Sequence, residues 1–173
     1  MTATALVHTA LGVAALATGA VVLARPKGGR RHRTVGRVYV GSMLALCLLS
    51  FGLRDPARFL WGYGPFHVAA VVSLVSVGAG AWAAWRRRSG WLPHHFMWTA
   101  WSYVGLVMAT GGHVAGPLHG ALVGLGLPVG PAAALAVGAV WGLPPLVGSR
   151  MIRRRVPVWE ALGARLAPGS VAA

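Results

Sequence analysis

The feature that most constrains this chain is a basic loop between two apolar runs, each long enough to cross a bilayer. The loop region holds six cationic residues, namely Arg25, Lys27, Arg30, Arg31, Arg33 and Arg37. A short loop rich in Arg and Lys stays on the cytoplasmic side of a membrane and orients the helices on both sides of it. The sequence therefore predicts an integral membrane protein whose basic loops set its topology.

The composition supports a membrane location and argues against other classes of protein. Hydrophobic residues make up 56% of the 173 residues and charged residues only 10%, whereas soluble proteins carry about 25% charged residues. The net charge of +14 does not indicate nucleic-acid binding, because the cations lie in loops between apolar runs rather than on one face of a soluble fold. The length allows one helix bundle without a separate soluble domain.

Apolar runs of about 20 residues predict an all-α, polytopic transmembrane bundle of about five spans. The predicted spans are residues 4–24, 36–53, 65–85, 95–114 and 132–147. With the N-terminus outside and the C-terminus in the cytoplasm, fourteen of the sixteen Lys and Arg residues face the cytoplasm, and only Arg54 and Arg58 do not. This agreement with the positive-inside rule favours the orientation.

The segments outside the spans have distinct compositions. Residues 116–131 are rich in Gly and Pro, and their continuous apolar part is too short to cross, so we expect an outer loop or a re-entrant segment. Residues 151–173 are predicted to form a basic cytoplasmic tail that is amphipathic or disordered. The loop that contains Asp55 also holds several aromatic residues and is predicted to lie outside.

Three histidines, His8, His67 and His113, are predicted at the outer ends of spans one, three and four. Small residues mark helix–helix contacts in lipid. Helical phase places small residues on the same helix face as His8 and on the same helix face as His113. They are Gly12, Ala15 and Gly19 for His8, and Gly105 and Ala109 for His113. Both imidazoles are therefore predicted to face the interior of the bundle, with His67 as a third corner.

Convergent imidazoles permit two cofactor hypotheses. A divalent metal such as zinc accepts three histidines and keeps one position open, and two histidines bind the iron of haem b as axial ligands. Asp55 is available to orient a ligand. The alternative is that each imidazole only bonds to a backbone carbonyl or is hydrated at the interface.

Enzymatic motifs do not accompany these histidines. The chain has no HExxH, P-loop or GxGxxG motif, and no predicted span contains a carboxylate that would act as a general base or carry a coupling proton. Both observations favour a protein that is not an enzyme.

Several short motifs have a familiar order along the chain: His8, the segment HRTVGRVY from His32 to Tyr39, Phe66-His67, His95-Phe-Met97-Trp98 and Ser102-Tyr103. They resemble the bacterial family of predicted membrane proteins called domain of unknown function 2306. The resemblance covers Leu6 to His113. It implies a multi-helix protein of the bacterial cytoplasmic (inner) membrane and carries no activity with it.

The HRxxGRxY element also has a physical interpretation. Arg33 and Arg37 lie one helical turn apart at the membrane surface, where we expect them to contact lipid phosphates, including those of anionic headgroups. Gly36 is expected to allow close approach of a neighbouring helix. Tyr39 is expected to lie at the membrane interface.

Three functional hypotheses follow from the sequence. The first is a membrane protein with a structural or assembly role, whose partner is another membrane protein or a second copy of the chain that packs on the Gly138–Gly142 pair. The second is a haem- or metal-binding redox component that uses His8, His67 and His113. The third is a small-molecule transporter, which the lack of carboxylates within the spans disfavours.

Overall fold

A computed structural model describes residues 2–53 and 63–165, and every regular element among them is helical. The first four helices are α1 (Ala3–Ala24), α2 (Arg30–Ser50), α3 (Pro65–Arg86) and α4 (Trp91–Gly124). They are followed by α5 (Val129–Val137), a π-helical turn (Gly138–Gly142) and α6 (Leu143–Arg165). The backbone stays helical at both junctions of the π turn, so α5 and α6 form one rod. The described residues therefore form five helical rods.

Rods that follow one another in the chain pack against each other, and their termini lie at two opposite ends of the bundle. α1 packs on α2, α2 on α3, α3 on α4, and α4 on the α5–α6 rod, while α4 also contacts α1. We call one end the arginine-rich end, since it holds residues 25–33, 86–95 and 150–155. Contacts join these segments there: the rings of His32 and His95 lie 6.5 Å apart, and Lys27 lies close enough to Arg155 for their charges to interact.

Three rods are long and apolar enough to cross a membrane, namely Ala3–Ala24, Phe66–Arg86 and Val129–Arg165. Their outward faces carry large apolar side chains. On α3, for example, Val68, Val72 and Val75 are each at least 59% exposed. Valines on an outward face suit hydrocarbon, where apolar side chains cost nothing to expose. The protein is thus an all-helical membrane protein.

α4 is longer than the predicted fourth span. Its 34 residues reach about 51 Å at ~1.5 Å per residue, and Pro117 lies inside it. Residues 116–124 belong to α4, and α5 begins at Val129. The prediction of a loop or re-entrant segment over 116–131 is therefore wrong for residues 116–124 and 129–131. One proline removes a single helix hydrogen bond, and the left-handed glycine that ends α4 comes only at Gly126.

α4 ends where glycine permits a left-handed residue. Gly126 has φ +91°; its N–H donates to the carbonyl of Val123, and the N–H of Leu127 donates to the carbonyl of Leu122. This pair of bonds is the Schellman arrangement, which closes the last turn of a helix. Only residues 125–128 then connect α4 to α5.

Two other boundaries differ from the sequence predictions. α2 begins at Arg30, so the basic HRTVGR segment is helical rather than a loop. The predicted tail is helical as far as Arg165, because it packs on α4: Ile152 is buried beside Ala100 and Val104, and the rings of Trp159 and Phe96 lie 5.5 Å apart. Residues 166–173 and the predicted loop residues 54–62, with Asp55, lie outside the described residues.

Tyr39 lies in the core, not at the interface as predicted. It is 1% exposed, and its hydroxyl lies 2.7 Å from Ser102 Oγ. Ser102 donates its own hydrogen to the carbonyl of Thr99, so Tyr39 must be the donor to Ser102. The hydroxyl of Tyr103 donates to the carbonyl of Leu16, and together these bonds tie α4 to α2 and α1.

The close helix approach expected at Gly36 occurs elsewhere. A Cβ at Gly36 would meet open space, whereas a Cβ at Gly19 would meet the rings of Tyr39 and Tyr103. Gly19 therefore lets α1 lie against the buried tyrosines.

We expect Gly19→Ala to lower the stability of the bundle by about 1–3 kcal/mol, the usual cost of overpacking a core. The added Cβ would lie 2.6 Å from Tyr103 Cε2 and 2.9 Å from Tyr39 Cε2, closer than carbon atoms approach. Thermal unfolding in detergent measures the effect. Gly41→Ala is the matched control, because its Cβ would meet nothing within 4 Å. Equal unfolding temperatures for the two variants would contradict the packing described for Gly19.

Candidate functional site

A cavity of about 540 Å³ lies between four helices at the end of the bundle opposite the arginine-rich end. Its wall comes from the first half of α1, the second half of α2, the first half of α3 and the middle of α4. The volume falls within the range of about 300–1,000 Å³ that small-molecule sites occupy. His8, His67 and His113 all line it, and we call it the histidine cavity.

The rest of the wall is mainly apolar. Leu16, Met43, Leu46 and Leu106 contribute to it, as do small residues such as Gly12, Ala70 and Ala109. The described lining residues include no Asp, Glu, Lys or Arg. The cavity is therefore an apolar space in which a few histidine and hydroxyl groups supply the polarity.

His8 and His113 occupy the positions that their helical phase predicted, on the inner faces of α1 and α4. The two imidazoles lie close enough for their charges to interact. His8 Nδ1 is buried and has no hydrogen-bond partner among the described residues, and His113 is more exposed. Both histidines therefore line the cavity, although Nδ1 of His8 is closed off from it.

His67 is held by the first turn of α3. The N–H of Gly64 donates to His67 Nδ1 at 3.0 Å, and the N–H of His67 donates back to the carbonyl of Gly64 at 2.9 Å. The ring also lies edge-on to Tyr63, with centroids 4.9 Å apart, and 6.1 Å from the ring of Phe51. The orientation of this imidazole is therefore fixed before any ligand binds.

The bond to Gly64 decides which nitrogen of His67 carries the hydrogen. A backbone N–H is only a donor, so Nδ1 must offer its lone pair, and the ring hydrogen lies on Nε2. Nε2 is buried and has no hydrogen-bond partner among the described residues. The N–H group at Nε2 is thus both unpaired among the described residues and closed off from the cavity.

The three histidines share a cavity but do not form a three-ligand metal centre in this arrangement. Among the described residues, no group of three His, Cys, Asp or Glu side chains is placed to hold a metal ion. Asp55, proposed as an orienting carboxylate, lies outside the described residues. The metal and haem hypotheses stay predictions.

Sequence reasoning did not single out the hydroxyl groups of the cavity. Thr9, Ser50 and Thr110 line it, and each donates its hydrogen to a carbonyl of its own helix, at 2.9, 2.6 and 2.9 Å respectively. These three offer the cavity only lone pairs, and a fourth hydroxyl, that of Ser73, also lines the cavity. Thr110 lies one turn from His113, so helical phase would have found it, whereas Ser50 reaches the cavity only through the packing of α2.

The arginine-rich end has a different character. Arg33 and Arg37 are exposed there, and Arg33 Nη1 donates to the carbonyl of Gly28. Burial and the nearby Arg155 lower the pKa of Lys27. Burial, His95 and then Lys27 lower the pKa of His32, which precedes the predicted second span. Positive groups therefore accumulate at this end.

The sequence profile of a family described as predicted membrane protein (DUF2306) matches residues 5–149. The chain belongs to this family. The match extends beyond the resemblance seen from Leu6 to His113, as far as residue 149. No curated protein and no solved structure matches the chain.

The DUF2306 match includes everything that builds the histidine cavity. All its lining residues, and the Tyr39–Ser102 pair that ties α2 to α4, lie within residues 5–149. Only the last part of α6, which packs on α4 at the arginine-rich end, lies beyond it. The cavity is therefore formed entirely by the region that defines the family.

Proposed function

We propose that this DUF2306 protein binds a small, lipid-soluble molecule in the histidine cavity. The observation that carries the proposal is the cavity itself, a space of about 540 Å³ between four helices whose wall is mainly apolar and includes His8, His67 and His113. A cavity of this volume with a few polar groups on an apolar wall is typical of small-molecule sites.

The lining residues favour an uncharged ligand. An ion in an apolar space is stabilised only by an opposite charge or a dense set of hydrogen bonds, and the described lining residues carry no acidic, Lys or Arg side chain. A neutral molecule with one or two polar atoms fits the wall better. The cavity volume of about 540 Å³ suits a molecule of one or two rings.

The proposal includes a topology of five spans, with the N-terminus outside and the C-terminus in the cytoplasm of a bacterial cell. α1 and α3 meet the length and composition of membrane spans. α2 joins the arginine-rich end of α1 to the far end of α3, so it must cross as well. The same reasoning applies to α4, which joins α3 to the last rod. The positive-inside rule then orients the arginine-rich end and places the histidine cavity in the outer half of the membrane.

The arginine-rich end would contact anionic lipid headgroups. Arg33 and Arg37 are exposed and lie one helical turn apart on α2, where each cation near an anionic surface contributes about 1 kcal/mol of attraction. These contacts would hold the bundle at its depth in the inner membrane. They do not depend on the ligand in the cavity.

A second candidate is a redox protein with haem b between His8 and His113. What favours it is that both rings line the same cavity and lie close enough to interact. His67 would not be an iron ligand, because Nε2 carries the hydrogen as long as Nδ1 accepts the N–H of Gly64. The structural or assembly role inferred from sequence stays a prediction and requires no ligand.

Photolabelling with benzophenone, a neutral ketone with two rings, tests ligand binding. We expect irradiation of the detergent-purified protein to label peptides that line the cavity. Ala109→Phe should reduce this labelling, because Ala109 lines the cavity and a ring there takes up part of it. Val114→Phe adds similar bulk at a 51% exposed position outside the lining and should leave labelling unchanged. Equal labelling of the Ala109→Phe variant and the wild type would contradict the proposal.

Cysteine labelling tests the topology. In a Cys47→Ala background, we expect Leu125→Cys to react with an impermeant thiol reagent in intact cells, because Leu125 is 79% exposed in the loop after α4. Ser89→Cys, in the turn at the arginine-rich end, should react only after the cells are permeabilised. The reverse pattern would invert the bundle and place the cavity in the cytoplasmic half of the membrane.

An absorption spectrum with elemental analysis distinguishes the two candidates. If the cavity binds a neutral organic molecule, detergent-purified protein should show no haem absorption and no stoichiometric iron or zinc. If haem b lies between the two histidines, a haem spectrum should appear in the wild type and should be lost in both His8→Ala and His113→Ala. His94→Ala, in an exposed position at the other end, is the matched control.

A further inference from the structure

We infer that the histidine cavity binds a ring with oxygen atoms at two opposite positions, a para-quinone or its hydroquinone, between Ser73 and His113. This inference rests on the proposed function and adds the chemical class of the ligand. It comes from the length of the cavity and from the polar groups that a ligand can reach at its two ends.

The cavity is elongated along the bundle. The residues of α4 that line it follow one face of the helix, namely Leu106, Ala109, Thr110 and His113. Ser73 Oγ lies opposite the start of this face, 3.1 Å from the position that a Cβ of Gly105 would occupy. Gly105 and His113 are eight residues apart, which is roughly 12 Å along the helix. One end of the cavity therefore has Ser73, and we call it the serine end, while the other end has His113.

The Ser73 hydroxyl is the polar group at the serine end. Its side chain is only 8% exposed and makes no hydrogen bond to another described residue. Its oxygen is not closed off as the unpaired nitrogens of His8 and His67 are. The neighbouring Ser76 differs, because its hydroxyl donates to the carbonyl of Val72. Ser73 is therefore able both to donate a hydrogen bond to a ligand and to accept one.

The other polar side chains along the wall do not replace Ser73 as a donor. Thr9, Ser50 and Thr110 donate their hydrogens to helix carbonyls, so they accept hydrogen bonds from a ligand but give none to a carbonyl oxygen. Cys47 also lines the cavity, and a thiol is a weak donor. A carbonyl oxygen at the serine end thus finds its donor in Ser73.

His113 is the imidazole that a ligand reaches at the other end. It lines the cavity, its side chain is exposed, and it makes no hydrogen bond to another described residue. His8 lies beside it with Nδ1 closed off, and His67 is closed off at Nε2. A neutral imidazole has one N–H group and one lone pair. Like the hydroxyl of Ser73, it therefore pairs either a quinone oxygen or a hydroquinone hydroxyl.

The separation of the two ends selects opposite positions on the ring. A six-membered ring with two opposite oxygens, each in a hydrogen bond of about 2.8 Å, spans nearly the distance from Gly105 to His113. Oxygens on adjacent ring carbons would reach only one end. The wall between the ends is mainly apolar, with Leu46, Ala70 and Ala109 among its residues, and suits the ring itself.

Duroquinone and durene provide a matched pair of probes, because both have the same tetramethylated ring and only duroquinone has the two opposite oxygens. Binding is measured in detergent with a Cys47→Ala parent, because Cys47 lines the cavity and thiols add to quinones. Each probe is compared with itself between variants, which cancels its partition into detergent. We expect Ser73→Ala to weaken duroquinone binding roughly three- to tenfold, the effect of one ordinary hydrogen bond. Durene binding should stay unchanged.

Ser76→Ala is the matched control for Ser73→Ala. Ser76 lies on the same helix, is similarly buried at 5% exposure, and is not among the residues that line the cavity. We expect this variant to bind both probes as the parent does. An equal loss of duroquinone binding in Ser73→Ala and Ser76→Ala would mean that the packing of α3 is responsible, and would contradict the inference.

His113→Phe tests the opposite end of the ring. We expect a loss of duroquinone binding similar to that of Ser73→Ala, and the two losses should multiply in the double variant, because distant sites act independently. If the double variant binds duroquinone as well as either single variant, the two side chains do not pair separate oxygens, and the inference is wrong. His119→Phe, on the same helix but outside the cavity lining, is the control.

The infrared spectrum of bound duroquinone gives a direct check. A carbonyl group that accepts a hydrogen bond absorbs at a lower frequency than an unpaired one. We expect lowered carbonyl bands in the parent and in Ser76→Ala, and a partial return to the unpaired frequency in Ser73→Ala. Carbonyl bands in the parent that match those of duroquinone in detergent alone would overturn the inference.

The outcomes separate this inference from the proposed function. If benzophenone labels the cavity but duroquinone does not bind, or binds without any effect of Ser73→Ala, the proposed function stands and the inference is wrong. If benzophenone, duroquinone and durene all fail to bind, the proposed function fails and the inference fails with it.

Discussion

The whole structure depends on one constraint: hydrocarbon offers no hydrogen-bond partner to the polypeptide backbone. The described part of the chain meets it by being helical outside its short connections. Hydroxyl groups within the helices also donate to backbone carbonyls, as Ser76 does to Val72 and Thr110 to Leu106.

The packing of the bundle follows from the same constraint. Gly19 brings α1 against Tyr39 and Tyr103, and the hydroxyl of Tyr39 finds its acceptor on Ser102 of α4. Nearer the other end of the bundle, small residues such as Gly12, Ala70 and Ala109 line the cavity beside larger ones such as Leu46 and Phe66. Tight packing around the tyrosines and loose packing around the histidines therefore belong to one architecture, and the loosely packed part is the histidine cavity.

His67 has two tasks that depend on each other. It pairs the amide of Gly64 at the start of α3, a position where an unpaired N–H in a membrane would be costly, and the same bond leaves the ring hydrogen on Nε2. A structural bond thereby sets the tautomer of a histidine that lines the cavity. His8 and His113 have no comparable bond among the described residues.

The sequence by itself determined the class of protein, its all-helical fold and the faces of His8 and His113, because apolar length and helical phase are local properties. It also indicated the family, since the short motifs are read directly from the residues. It did not determine that Tyr39 is buried, that Gly36 faces open space or that α4 continues to Gly124, because each depends on a neighbouring helix or on the absence of water. The cavity and the hydrogen on His67 Nε2 were decided only by tertiary structure: the first is a space between four helices, and the second follows from a bond whose geometry no pattern of residues specifies.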